Sequence, residues 1–467
     1  MKHTMHTFKI PTLIISTIFC SILLISSLYA ITADQFCIAL DWGKYEVVKK
    51  YLDNNTIDLN KPFKPNICEG RLPLQCTDDI KKMQLLIDRG AKVNLKHKGY
   101  SILEAAAGNK DGGASGLFLL KKGAKATGYA LYQALWYENT KLAEALIDAG
   151  ADVNWHDKQG LGYSPLVIAS QNGYSLQIIK KLVNAGANVN FATTDEKLTA
   201  LHFFPSKRSI GHQGHSGNMD DLKVSTKTQL EKVKFLLSKG ARLGKKSKYG
   251  YTPFLTATAQ NEKVAFYLIS KGSNIWFKSH DRETALHLAA GSGFKKLTAY
   301  LLKKGHSVHR RTKKGRTPIF GAAQNGNLAI IKMLIQKGAK CYVFDYTKTS
   351  PLHLIAIFPT AKSHYTYLSK HEQDYYKALE IILKRSGRYM IHRRNIHGET
   401  PWFNLRGWMY PLPQKIKLFL KYGAKKWVRH RTKRKTLLQM LIKENNTNKY
   451  MTDSVRKFYI ESIRALR

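Results

Sequence analysis

Residues 283–308 read ETALHLAAGSGFKKLTAYLLKKGHSV, and this stretch decides the fold. Two short segments in it carry apolar residues at the i, i+3, i+4 spacing of one helix face. These residues are Leu286, Ala289 and Ala290, followed by Leu297, Tyr300 and Leu301. Thr284 stands where a hydroxyl can cap the first helix, and Gly305 stands where the second helix ends. Neither helix can bury its apolar face alone, so copies of the pair are expected to stack.

The phrase that ends this stretch, an apolar pair followed by polar residues and Gly, returns along the chain. It reads LLIDRGAKVN at 85–94, ALIDAGADVN at 145–154 and KLVNAGANVN at 181–190. Later glycines give the period, because successive members of the series Gly240, Gly272, Gly305 and Gly338 are 32, 33 and 33 residues apart. We count about eleven repeats, marked by Gly43, Gly90, Gly123, Gly150, Gly186, Gly240, Gly272, Gly305, Gly338, Gly387 and Gly423.

These phrases resemble the ankyrin repeat family, which opens its first helix with Thr-Pro-Leu-His and follows its second with Gly-Ala-x-Val-Asn. Leu286-His287-Leu288-Ala289-Ala290 and Gly150-Ala151-Asp152-Val153-Asn154 are close matches. The resemblance covers about residues 34–445 and implies an all-α ankyrin-repeat solenoid of helix-turn-helix repeats joined by hairpin loops. It implies a non-catalytic scaffold for protein–protein interaction. It also implies that His202, His287 and His353 tie turns together rather than bind a ligand.

The N-terminus lies outside the repeat pattern. Lys2 and Lys9 precede an apolar run from Ile10 to about Ala30, after which the sequence becomes polar. This layout predicts a signal peptide over residues 1–30 and export to the periplasm or out of the cell. The alternative is a membrane anchor formed by residues 10–30, a run that just reaches bilayer-spanning length. An exported array of this kind resembles proteins of host-associated bacteria, which implies possible action on a host.

Two repeats exceed the period, and the chain continues beyond the last marker glycine. The extra residues fall near 204–226 and 358–374, between the two helices of their repeats. Residues 446–467 are predicted to form a C-terminal helical cap that covers the open end of the stack.

Four cysteines follow the signal segment: Cys37, Cys68, Cys76 and Cys341. Export permits disulfides, and the spacing favours a Cys68–Cys76 bridge, with Cys37 and Cys341 as packed small hydrophobes. We expect no metal site, since no paired C-x2-C is present, and no cofactor. The sequence contains no G-x-S-x-G, G-x-x-x-x-G-K-[ST] or H-E-x-x-H motif, which predicts that the chain is not an enzyme. His212, His215 and Asp220 in the first insertion leave a metal-dependent enzyme as a weak alternative.

The charge is the outlier of the composition, with 76 Lys and Arg against 32 Asp and Glu and a net charge of +44. Hairpin loops of the second half hold single-signed clusters, interleaved with Trp276, Phe277, Tyr342, Phe344, Tyr346 and Trp427. The clustered residues are Lys245, Lys246, Lys248, Arg310, Arg311, Lys313, Lys314, Arg316, Arg393, Arg394, Arg429, Arg431, Lys433, Arg434 and Lys435. They predict a partner protein with an acidic surface, bound by a monomer. The alternative is a polyanion, either an anionic membrane surface or nucleic acid.

Overall fold

The computed structural model describes most of the chain after the predicted signal segment. The described residues are 33–55, 57–64, 68–109, 113–158, 160–203, 226–357, 370–405, 413–429, 434–447 and 453–467. Residues 1–30 and most of both predicted insertions therefore lie outside the described residues. The expectations for signal, anchor and His-bearing insertion remain predictions.

The chain divides into two compact units, of which the first comprises residues 1–158, 164–168 and 180–188. Its helices are Ala33–Asp41, Tyr45–Asn54, Ile80–Asp88, Ile102–Ala107, Ala114–Lys121, Gly128–Trp136 and Thr140–Asp148. Two 3-10 turns, Cys68–Gly70 and Pro73–Gln75, precede the third helix. Two-residue strands, Lys96–His97 and Tyr100–Ser101, pair antiparallel in one hairpin loop. Two further helices, Pro165–Gln171 and Leu176–Asn184, divide between the units.

The second unit comprises residues 159–163, 169–179 and 189–467. After its share of those two helices, its next element is the 3-10 turn Ala200–His202. Its helices are Thr226–Ser238, Pro253–Gln260, Glu262–Ser270, Ala285–Ser292, Lys295–Lys303, Pro318–Gln324, Leu328–Gln336, Pro351–Ile357, Lys370–Ser386, Arg388–Ile391, Pro401–Asn404, Pro413–Lys421, Leu437–Thr447 and Asp453–Leu466. Short helix pairs recur in the order that the sequence predicts, which confirms an all-α repeat architecture.

The core of each repeat is the apolar face read from the sequence. In Ala285–Ser292 the side chains of Leu286, Ala289 and Ala290 are fully buried, and the helix packs against Pro318–Gln324 of the next repeat. Small residues let these first helices approach closely. A Cβ added to Gly321 would lie 2.9 Å from the Gly291 Cα, so the two backbones touch at this point.

The predicted Cys68–Cys76 disulfide is wrong. Cys68 is bonded instead to Cys37, with the two Cα atoms 5.8 Å apart, and the bridge ties the first helix to the Cys68–Gly70 turn. Cys76 is a free, buried thiol that donates to the Leu72 carbonyl at 3.3 Å. Burial raises the pKa of Cys76 to about 12, so the thiol stays protonated. Spacing along the chain misled the prediction because packing of the first helix brings Cys37 to Cys68.

The ends of the predicted segments differ in detail from the observed helices. Helix Lys370–Ser386 begins inside the stretch 358–374 that the sequence assigned to an insertion. Helix Leu437–Thr447 crosses the predicted boundary between array and cap at 445. The last helix, Asp453–Leu466, packs on Leu437–Thr447 and on Pro413–Lys421 and buries Ser462 and Leu466. That cap function remains a prediction.

Candidate functional site: the hairpin edge of the second unit

Six successive hairpin loops of the second unit, at residues 189–199, 242–252, 274–284, 307–317, 340–350 and 392–400, are joined tip to tip by backbone hydrogen bonds. We call these loops, together with the following loop at 424–429 and 434–436, the hairpin edge. Each bond runs from an N–H of one loop to a carbonyl of the loop before it. The bonds are Lys248 to Glu196 (2.7 Å), His280 to Tyr249 (2.8 Å), Lys313 to Asp281 (2.7 Å), Tyr346 to Lys314 (3.0 Å) and Ile396 to Thr347 (2.9 Å). Side chains on neighbouring tips are therefore held in a fixed order.

Three imidazoles tie the loops to the helices below them, as the family resemblance implies. In the 284–317 repeat the Thr284 backbone N–H donates to His287 Nδ1 at 3.2 Å, so Nε2 carries the proton. His287 Nε2 then donates to the Arg316 carbonyl at 3.1 Å. Equivalent bonds run from His202 to the Tyr251 carbonyl (3.1 Å) and from His353 to the Glu399 carbonyl (3.3 Å). Burial lowers the pKa of each of these three histidines to about 4.

Several of the predicted partner-binding cations have internal partners. Arg311 donates to the Gly315 carbonyl (2.7 Å) and to the Phe344 carbonyl of the next loop (2.8 Å). Arg394 repeats this arrangement with the Gly398 and Arg429 carbonyls, at 3.2 and 3.1 Å. These two guanidinium groups brace one loop against the next.

Two more of these cations are neutralised by carboxylates. Lys248 pairs with Asp195 at 2.7 Å, and Arg316 pairs with the buried Asp345 at 2.9 Å. Burial alone would raise the pKa of Asp345, but hydrogen bonds from Thr347 and Thr349 and the Arg316 charge outweigh it and lower that pKa. The Asp345 carboxylate therefore stays ionised and fixes its loop.

The other described cations of the set point outward. Arg310, Lys313, Lys314, Arg393, Arg429, Arg434 and Lys435 are exposed, and so is Lys246, whose Nζ lies 4.5 Å from the centre of the Phe277 ring. Lys245 is half-buried, and Arg431 and Lys433 lie outside the described residues. Within the described ranges no carboxylate forms a salt bridge with Arg310, Lys313 or Lys314. The hairpin edge thus carries uncompensated positive charge.

A structural function belongs to the position four residues after the marker glycine. Asn94, Asn154 and Asn190 occupy it in earlier repeats, and each donates to the carbonyl of the next marker glycine. The Asn190 Oδ1 atom also accepts from the Arg242 N–H at 2.8 Å, so the amide clamps two repeats together. The recurring Asn was visible in the sequence, but its clamping function was not.

Large rings replace this clamp in later repeats. Trp276, Tyr342 and Trp427 stand at the same position and are 58%, 54% and 69% exposed. Each ring lies beside a nitrogenous side chain. Trp276 stacks on the His306 ring with centroids 4.3 Å apart, and the Nζ atoms of Lys340 and Lys425 lie 5.9 and 5.0 Å from the Tyr342 and Trp427 ring centres.

A second aromatic group lies within the first unit. Tyr129, Tyr132 and Trp136 follow one another along helix Gly128–Trp136, with adjacent centroids 6.1 and 5.9 Å apart and rings within 12° of parallel. Trp155 crosses Tyr129 and Tyr132 at about 5 Å. These rings are half-buried against one another, so they pack as part of the repeat surface.

The described residues contain no group of three or more His, Cys, Asp and Glu side chains placed to hold a metal ion. No helix among them is both long enough and apolar enough to cross a bilayer. The segment 10–30 and the histidines of 204–220 lie outside that part of the chain.

Known proteins resemble this chain in its repeats. A family model described as ankyrin repeats matches in three copies, over residues 131–204, 259–345 and 286–378. The human SH3 and multiple ankyrin repeat domains protein 2 is 34% identical over 108 residues, which cover 23% of this chain and 5% of that protein. Alpha-latrotoxin-Lg1a of Latrodectus geometricus is 38% identical over 84 residues, which cover 17% of this chain and 6% of the toxin.

These matches cover only a small part of either relative, so their activities do not transfer to this chain. The matched residues include helix pairs, marker glycines and the three histidines that tie loops to helices. The chain therefore belongs to the ankyrin repeat family, whose repeats are generally protein–protein interaction modules.

Proposed function

We propose that this protein is an exported, non-catalytic scaffold that binds an anionic partner along the hairpin edge, most simply a protein with an acidic surface. The observation that carries the proposal is a row of exposed cations on backbone-linked loop tips. Arg310, Lys313 and Lys314 lack a carboxylate partner among the described residues, so an acidic surface would meet charges that are not already neutralised. Rigid spacing of the tips lowers the entropy lost on binding.

A charge-matched pair of variants tests the anionic partner. Arg310→Gln, Lys313→Gln and Lys314→Gln together remove three charges from the edge. The control triple, Lys295→Gln, Lys296→Gln and Lys303→Gln, removes three exposed charges from a second helix. With polyglutamate as probe, we expect the edge triple to weaken binding about tenfold at low salt, since exposed ion pairs contribute up to ~1 kcal/mol each.

The salt dependence of binding is the test of this proposal. Binding of the parent should weaken as salt rises, and the edge triple should flatten that dependence while the control triple leaves it intact. Equal binding by the two triples would overturn the assignment to the hairpin edge.

Export rests on the sequence of residues 1–30 and is supported by the Cys37–Cys68 disulfide, since such bonds persist in oxidising compartments. The test is the intact mass of the accumulated protein, with cell fractionation beside it. A mass short by residues 1–30 in a soluble exported fraction supports the signal peptide. A full-length mass in the membrane fraction would replace it with an anchor.

A further inference from the structure

We propose that the hairpin edge of the second unit docks on an anionic lipid bilayer. Trp276, Tyr342 and Trp427 would enter the headgroup interface, and the neighbouring cations would contact lipid phosphates. The inference rests on the proposed function in one respect, because both need the hairpin edge to be where an anion binds. It commits to a lipid surface, whereas the proposed function takes an acidic protein as its simplest partner.

The three rings stand where earlier repeats use an Asn clamp, and they leave much of their surface in water. Where Asn190 stands, the side chain makes two hydrogen bonds to the next repeat, at 2.9 and 2.8 Å. A Trp at the equivalent position of later repeats gives up those bonds and leaves 58% of Trp276 and 69% of Trp427 in water. Exposed apolar surface on this scale marks an interaction site when it is grouped.

The exposed rings of the hairpin edge are of two residue types. Among the described residues of the hairpin edge, the most exposed rings all belong to Trp or Tyr: Tyr249, Trp276, Tyr342, Tyr346 and Trp427. The two Phe residues of the same loops are half-buried, Phe277 beneath Lys246 and Phe344 beneath Arg393. Trp and Tyr combine an apolar body with one polar atom, which is why they concentrate at the level of lipid headgroups.

Each of the three rings has a nitrogenous side chain packed beside it. Lys340 and Lys425 lie over the rings of Tyr342 and Trp427, and His306 covers one face of Trp276. Single-stranded nucleic acid binds such sites by stacking bases on open ring faces. Here the His306 ring already covers one face of Trp276, and an ammonium group stands beside each of the other two rings. An interfacial ring with an adjacent ammonium group fits the boundary between acyl chains and phosphates.

The experiment uses the full chain with two vesicle types, phosphatidylcholine alone and phosphatidylcholine with about one third phosphatidylglycerol. The readout is the fraction of tryptophan emission quenched by brominated acyl chains. This reports contact between rings and bilayer even if residues 10–30 also hold the chain to the vesicle. We expect greater quenching in the anionic vesicles, together with a blue shift of the emission.

Three variants complete the design. The ring variant replaces Trp276, Tyr342 and Trp427 with Asn, the residue that earlier repeats use at this position, and should keep its thermal midpoint while losing the extra quenching. The edge triple Arg310→Gln, Lys313→Gln, Lys314→Gln keeps every Trp. Its affinity for the anionic vesicles should fall on the order of a hundredfold, at about fivefold for each charge near the surface. The control triple Lys295→Gln, Lys296→Gln, Lys303→Gln should respond like the parent.

The outcomes of these measurements distinguish failure of the lipid inference from failure of the proposed function. Equal quenching in the two vesicle types, or an unchanged response of the edge triple, would overturn the lipid inference. If the edge triple loses polyglutamate or single-stranded RNA binding but no variant changes the vesicle signal, the lipid inference fails and an anionic partner stands. If the two triples behave alike with every probe, the proposed function fails as well.

Discussion

At the residue scale, a single Asn side chain in several of the earlier repeats holds the next repeat in place. The Asn190 amide donates to the Gly240 carbonyl and accepts from the Arg242 N–H, spanning a distance in sequence of about fifty residues. Gly240 itself takes φ of +83°, a conformation that other residues adopt only with strain. The Asn190 clamp thus holds the turn that ends the second helix of the next repeat.

Asn190→Ala tests this clamp. We expect a loss of about 1 kcal/mol in the free energy of unfolding, since two exposed hydrogen bonds disappear. Hydrogen exchange should rise at the Arg242 amide in particular, because its acceptor is removed. Asn184→Ala, an exposed change at the end of the preceding helix, is the control and should leave that amide unchanged. Equal exchange in both variants would contradict the clamp.

At the element scale, the close contact of neighbouring first helices sets a limit on side-chain size. A Cβ at Gly321 would meet the Gly291 backbone, 2.9 Å from Cα and 3.2 Å from N. The reverse change is tolerated, because a Cβ at Gly291 lies 3.8 Å from the Gly321 Cα, an ordinary contact. The two glycines face each other but are not equivalent.

Gly321→Ala and Gly291→Ala form a matched pair that tests this asymmetry. Gly321→Ala should destabilise the protein by about 1–3 kcal/mol, because backbone atoms cannot rotate out of the way of the new methyl group. Gly291→Ala should be close to neutral, since Ala also favours the helix. The urea midpoint measures both. A larger loss in the Gly291 variant would mean that the helices meet differently.

At the scale of the whole molecule, buried imidazoles make stability depend on pH. His202, His287 and His353 have pKa values lowered by burial to about 4, against about 6.5 in an unfolded chain. The unfolded chain therefore binds protons first as the pH falls below about 6.5. Stability from these groups is constant above that pH and is lost progressively down to about pH 4.

We expect each imidazole to remove on the order of 3 kcal/mol of stability between these pH values. Urea unfolding at pH 7 and near pH 4.5 measures the effect. His287→Leu, which copies the Leu255 of another repeat, should lower stability at pH 7 and reduce the pH dependence. Replacement of the exposed His309 is the control and should preserve that dependence. Unchanged pH dependence in the His287 variant would contradict the assignment.

Buried lysines extend the same trend to higher pH. Lys415 donates to the Ala356 carbonyl at 3.2 Å, and burial lowers its pKa to about 7. Burial likewise lowers the pKa of Lys232 to about 8. Because the unfolded chain keeps these amines protonated to higher pH, stability should continue to rise above pH 7. An unfolding midpoint higher at pH 9 than at pH 7 would agree with this, and a lower one would contradict it.

The repeats, the helix pairs and the three histidines that tie loops to helices could be predicted from the sequence alone. Their signals are local: apolar spacing within Leu286–Ala290, a stop at Gly305 and a recurrence of 32 or 33 residues. Stacking follows because a short helix cannot bury its face alone. The positive charge of the loops could also be predicted, because the number of charged residues is known from the sequence.

Tertiary structure decided which side chains are free to act. It paired Cys68 with Cys37 instead of Cys76, because helix packing brings together residues 31 apart. It engaged Arg311 and Arg394 in bracing loops and left Arg310 and Lys314 exposed, although all four look alike in sequence. These differences arise from contacts between repeats, and only the folded chain creates those contacts.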